Sequence, residues 1–198
     1  MIKANNKWRC LLVPAVAIFA LSACDSPTMI SKGDVAHNYQ PADLWRFSGG
    51  DNALQVDGYG SPFGDSQKRV DDAVVAAMQG HNGGPRVTFS TAKAPPPKPT
   101  WRVVMALNPT ELRDTEQLCK LTDPPKTAPS QGGKLRVLAA FCEGDWPASQ
   151  ATASGSDINS LDSPKFDTLV ADLTNTLFPA ADLHERFDRR CIGTPCQG

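Results

Sequence analysis

Read from residue 41 onward, apolar and polar positions alternate between two periods. Ala53-Leu54-Gln55-Val56-Asp57 alternates at period two and predicts a short strand, ended by Gly58, Gly60, Pro62 and Gly64. Val70, Ala73, Val74, Ala77 and Met78 then recur at helical spacing and predict a helix over 66–79. Asp65 or Ser66 can cap its start, and Gly80 suits the position after its end. A loop over 81–85 leads to a strand over 86–90, and the four prolines of 94–99 make a stiff connector. Trp101 to Leu107 and Leu135 to Phe141 are almost unbroken apolar runs, the mark of strands covered on both faces. Between them, Asn108-Pro109-Thr110-Glu111 has the form of a helix start: Asn as cap, Pro in the first turn, Glu closing a capping box. Leu112, Thr115 and Cys119 would share one face of that helix, and the proline-rich stretch 122–133 is irregular. Trp146 to Ser154 is a candidate hairpin partner for the second buried strand. Ser163 and Pro164 open the clearest helix, whose stripe is Phe166, Leu169, Val170, Leu173 and Leu177, and Pro179 stops it. A short helix pairing Leu183 with Phe187 can follow. This order predicts an α+β fold: a small, mostly antiparallel sheet with helices packed on one face.

The first 24 residues follow a different pattern. Lys3, Lys7 and Arg9 form a basic segment without acids, and Leu11 to Ala23 is apolar apart from Ser22. Thirteen residues are too few to span a bilayer and suit the hydrophobic region of a signal peptide. The run ends in Leu21-Ser22-Ala23-Cys24, which resembles the bacterial lipobox at all four positions. The resemblance implies a lipoprotein precursor: the Cys24 thiol receives diacylglycerol, the chain is cut before Cys24, and the new amino group is acylated. Two or three acyl chains hold a protein stably at a membrane where one does not. The alternatives are an ordinary signal peptide cut after Ala23 and a buried N-terminal helix. In enteric bacteria an Asp after the modified Cys tends to retain a lipoprotein in the inner membrane, so Asp25 favours the inner over the outer membrane on the periplasmic side.

Four regions follow: a signal peptide over 1–23, a lipidated tether over 24–40, an α+β domain over 41–180, and a tail over 181–198. Removing 1–23 takes away three basic residues and no acid. The remaining 175 residues carry 17 basic and 21 acidic side chains, a net charge of −4. That balance argues against nucleic acid as a partner and makes the lipid the anchor.

An exported chain matures under oxidising conditions. Cys10 leaves with the signal peptide and Cys24 carries lipid, so Cys119, Cys142, Cys191 and Cys196 remain. Four cysteines allow three pairings. The favoured one joins Cys119 to Cys142, at the ends of neighbouring elements, and Cys191 to Cys196 across a Gly-Pro-containing turn. Intervals of 22, 48 and 4 residues fit a four-cysteine zinc site poorly, and no C-x-x-C redox motif occurs. Free or mixed thiols stay open.

Motifs for a serine hydrolase elbow, a phosphate loop, a dinucleotide fingerprint, a zinc protease helix and a calcium loop are all missing. His37, His81 and His184 fall in tether, loop and tail, and neighbouring Asp71 and Asp72 point about 100° apart on a helix. Trp101 and Trp146 open expected strands and read as core anchors. Only Cys142-Glu143-Gly144-Asp145, just past a buried strand, keeps an enzymatic reading open, with a disulfide as the simpler role for Cys142. No cofactor or metal is expected.

Ser61-Pro62-Phe63-Gly64-Asp65, Val103 to Pro109, Leu118-Cys119, Val137 to Asp145 and Leu177-Phe178-Pro179 together resemble a set of uncharacterised Gram-negative lipoproteins. The resemblance covers about residues 60 to 180. It implies the architecture and a Cys119–Cys142 pair, and no reaction. The expected function is a non-catalytic, lipid-anchored periplasmic factor for envelope assembly or for binding a protein, peptide or glycan. The alternatives are an accessory subunit of an envelope transport or secretion machine, and an envelope enzyme at Cys142–Asp145.

Overall fold

The computed structural model describes residues 29–36, 39, 53–92 and 100–180. Cys24, Trp45, His37, His184, Cys191 and Cys196 lie outside the described residues, as do the signal peptide and the Cys191–Cys196 loop. Among the described residues six strands form one sheet: β1 (Met29–Val35), β2 (Ala53–Tyr59), β3 (Thr88–Ser90), β4 (Trp101–Leu107), β5 (Leu135–Glu143) and β6 (Trp146–Gly155). Their order across the sheet is β1-β6-β5-β4-β2-β3. The four strands from β1 to β4 in that order pair antiparallel, and β2 runs parallel to both β4 and β3. The sheet is therefore mostly antiparallel, as expected, but it is not small. Helix α1 (Gln67–Met78) joins β2 to β3, and such a crossover makes the two strands parallel. Helix α2 (Pro164–Leu177) follows β6.

The two α-helices among the described residues form as the sequence specifies. The Ser66 hydroxyl accepts from the Arg69 N–H and caps α1, and Gly80 takes the left-handed conformation (φ 77°) just past its end. Ser163 caps α2 ahead of Pro164. Val70, Val74, Ala77 and Met78 of α1, with Phe166, Leu169, Val170, Leu173 and Leu177 of α2, pack on one sheet face. There they meet Leu54, Val56, Val103, Met105, Val137, Ala139 and Phe141, and every one of these side chains is buried.

The opposite face is covered as well, a departure from the one-sided layering expected. A 3₁₀ helix (Thr115–Lys120) and the chain before it lay Leu112, Leu118 and Cys119 over Val104, Ala106, Leu138, Ala140 and Cys142. This second layer explains the unbroken apolar runs of β4 and β5, which have no solvated face. Cys119 is bonded to Cys142, with Cα atoms 5.5 Å apart, so the layer is stapled to the sheet. The bridge closes a sequence separation of 23 residues. Replacing both cysteines by serine is expected to lower the unfolding free energy by about 3 kcal/mol, read as a shift in the urea midpoint. A midpoint unmoved within error would mean the layer holds without its staple.

Two other expectations give way. Asn108 does not cap a helix. Its side-chain Oδ1 accepts from the Arg136 N–H (2.8 Å) while its backbone N–H donates to the Arg136 carbonyl (2.7 Å), extending the β4–β5 ladder by one pair. Asn tolerates the left-handed backbone this requires (φ 49°), and the helix starts only after Asp114, whose carboxylate accepts from the Glu116 N–H. The tether expected over 24–40 is in part a strand. Met29 to Val35 pairs along β6 from Ser154 to Ser149, with a bulge near Ser31, and Tyr39 is buried beside Phe141. β1 also passes tightly under α2: a Cβ at Gly33 would lie 2.6 Å from Thr176 Cγ2. Met29–Val35 and Tyr39 thus belong to the described fold, although they fall within the stretch expected as tether.

Candidate functional site

The β5–β6 hairpin turns through Gly144 and Asp145, with Glu143 opposite Trp146 and Gly144 left-handed (φ 57°). Just inside the turn lies Arg102, on the sheet face that holds the 3₁₀ helix, opposite Cys142 in register. It is 3% exposed, and its guanidinium is a bolt. Nη1 donates to the Gly144 carbonyl (2.9 Å), Nη2 to the Cys119 carbonyl (2.8 Å), and Nε faces Asp57 Oδ2 at 3.7 Å. A planar fork suits two fixed carbonyls, which an ammonium could not span. The arginine and the disulfide together hold the hairpin tip, the end of the 3₁₀ helix and β2 in one arrangement. The Thr115 hydroxyl adds a bond to the Gln150 side-chain oxygen from the other end of the 3₁₀ helix.

That rigid base presents Trp146. Expected as a core anchor, it is 72% exposed instead. The Trp146–Glu143 pair is the last of the hairpin ladder, and neither residue is covered by the 3₁₀ helix. The Lys120 ammonium stands 5.3 Å from its ring centroid. Beside the ring a groove of about 280 Å³ runs between Asp34 of β1 and Ala36 just after it, Glu116 and Lys120 of the 3₁₀ helix, and Gln150 of β6. Trp101, by contrast, does stack on the core, with its ring 5.1 Å from that of Phe141.

The structure separates the pieces of the enzymatic reading. Cys142 is fully buried and its sulfur is bonded to Cys119, so the turn holds no thiol nucleophile. Asp145 is an exposed turn residue, and His81 is exposed in its loop. Among the described residues, no three His, Cys, Asp or Glu side chains converge as a metal-ligand set.

A second concavity, about 470 Å³, opens at the C-terminal end of β2 between Asp57, Tyr59, Gln67, Asp71 and the loop at Pro124 and Thr127. Gln55 Nε2 donates to Asp57 Oδ1 (2.7 Å), and Gln67 Nε2 donates to Asp71 Oδ1 (2.8 Å). Burial, then the Asp57 and Asp71 carboxylates, hold the Tyr59 phenol above its ordinary range, against the pull of Arg102. The cleft is an acceptor-rich wall with a protonated phenol at neutral pH. Sequence reading passed over it, yet a signal was there. Alternation along Ala53–Tyr59 sets Gln55, Asp57 and Tyr59 opposite the core-facing Leu54 and Val56, a polar row beside the apolar runs of β4 and β5.

No family model matches the chain, and neither a curated protein nor a solved structure matches it.

Proposed function

We propose that this chain is a lipid-anchored periplasmic lipoprotein, acylated at Cys24, that binds an envelope protein without catalysing a reaction. The observation that carries the binding is Trp146: a large aromatic side chain 72% exposed on a base fixed by Arg102 and the Cys119–Cys142 bridge. Rigid, centrally placed tryptophans contribute disproportionately to protein interfaces, because they bury much area and lose little conformational freedom. The acidic and amide groups around the ring supply a polar rim. The anchor rests on the lipobox resemblance of Leu21-Ser22-Ala23-Cys24 and the basic and apolar segments before it. A buried disulfide suits the oxidising side of the membrane.

Two measurements test the parts separately. Intact mass of the membrane-extracted protein is expected to fit residues 24–198 plus acyl chains, and an unacylated mass would remove the anchor. A photo-crosslinking residue placed at Trp146 is expected to capture a distinct protein band in cells that the same residue at Lys68, on the exposed side of α1, does not. Identical patterns from the two positions would remove Trp146 as the binding end.

A further inference from the structure

We infer that the end of the sheet carrying Met29, Lys134 and Arg136 lies against anionic lipid headgroups, so that the domain stands on the membrane with Trp146 pointing away. The inference rests on Cys24 being the acylated residue. Strand directions place these groups together. β1 starts at Met29 opposite Ser154, β5 starts at Leu135 opposite Gly155, and β4 ends at Leu107 opposite Val137. The hairpin tip and Trp146 are at the other end of the same strands. Only residues 25–28 separate Cys24 from Met29, and five residue steps reach at most about 18 Å even fully extended. The ten residues of β6 span about 33 Å. The anchored end therefore stays near the bilayer whichever way the domain tilts.

Charge selects the upright orientation. Lys134 and Arg136 are exposed and form no ion pair among the described residues. The neighbouring acid Asp157 is matched by Lys165 at 3.6 Å, and Glu111 is matched by Lys126 at 2.6 Å. Of the other acids at this end, Asp162 shares Arg69 with Asp65 and Asp167 lies in the first turn of α2, while Lys134 and Arg136 stand together at the start of β5. The opposite end exposes Asp34, Glu116, Glu143 and Asp145 against Lys120, so anionic headgroups repel it. Headgroup attraction fades within a Debye length of about 8 Å, which only the Met29 end can reach when the domain stands upright. Met29 itself is 60% exposed at the rim of a groove of about 570 Å³ that Lys134, Leu135 and Arg136 also line, an apolar contact flanked by cations.

The test uses the full acylated chain in two vesicle compositions, phosphatidylethanolamine with phosphatidylglycerol (about 3:1) and phosphatidylcholine alone. An amine-reactive reagent reads Lys134 against Lys120, and peroxide oxidation reads Met29. In the anionic vesicles Lys134 modification relative to Lys120, and Met29 oxidation, are expected to be at least about threefold slower than in phosphatidylcholine. The variant Lys134→Glu with Arg136→Glu is expected to abolish the Met29 protection while remaining on the vesicles through its acyl chains. Equal rates in both compositions, with acylation confirmed by mass and vesicle attachment by flotation, would overturn the orientation while sparing the anchor. A chain that is unacylated and does not float would sink the anchor, and the orientation with it.

Discussion

Arg102→Ala is expected to lower the unfolding free energy by about 3–5 kcal/mol, a cost set mostly by what it leaves behind. The Gly144 and Cys119 carbonyls lose their donors beside the sheet, and the Asp57 carboxylate loses its facing cation. Water reaches the Cys119 carbonyl and the Asp57 carboxylate poorly, since Cys119 is fully buried and the Arg102 and Asp57 side chains are 4% and 12% exposed, while the Gly144 carbonyl at the turn is only half-buried. Chemical denaturation is the direct measurement, with the midpoint falling at an unchanged slope. Arg102→Lys should recover only part, because one ammonium cannot meet two carbonyls and a carboxylate in the plane of a fork. Pairing Arg102→Met with Asp57→Asn removes the stranded charge and should recover more than Arg102→Ala retains. A loss below about 1 kcal/mol for Arg102→Ala would mean that water takes over both carbonyls and that the hairpin tip is not bolted from within.

Phe141→Ala should cost as much by a different route. The ring is fully buried at the centre of an aromatic cluster. The rings of Trp101 and Phe178 lie 5.1 Å from it and Tyr39 meets it edge-on at 6.2 Å. Truncation removes apolar surface and opens a void among side chains from β4, β5, the residue after α2 and the segment after β1. Buried Phe→Ala changes cost about 3–5 kcal/mol, and Phe141→Leu should cost under about 1.5 kcal/mol. Trp101 fluorescence gives a second reading, since its stacking partner disappears. An Ala variant within about 1 kcal/mol of the parent would mean the cluster collapses into the void and that these elements are not tightly constrained.

Helices α1 and α2 were legible almost to the residue, because the Ser66 and Ser163 caps, Pro164 and the apolar stripes all agree locally. So were β4 and β5, whose lack of a polar face could only mean cover on both sides. The Cys119–Cys142 pair was legible because both residues sit at the ends of consecutive elements. The misreadings share a cause: each depends on a partner far away in the chain. Asn108-Pro109 satisfies every local rule for a helix start, but Arg136 on β5 takes the Asn side chain first. Met29-Ile30-Ser31-Lys32-Gly33-Asp34-Val35 has no strong strand pattern, and its pairing is supplied by β6, more than a hundred residues on. Trp146 opens a strand, as Trp101 does, but the layer that would have covered it ends at Lys120. At the candidate site the chemistry of Cys142 was readable as a disulfide. The Arg102 bolt was not, because one arginine within an apolar run gives no hint of which carbonyls it will reach.

The antiparallel pairing of β1 with β6 has a mechanical meaning. If the chain is held at Cys24 and a partner pulls at Trp146, tension enters β1 at its Met29 end and β6 at its Trp146 end. The two strands are then drawn past each other along their length. Their six paired positions share the load at once, as in a lap joint, and cannot open one at a time like a zip. With the same two strands side by side in parallel, that pull would enter both from the same side and peel them. Under such a pull β1 is joined to β6 in the geometry that best resists extraction, and forced separation of the two strands would follow the slow rate of breaking the whole ladder.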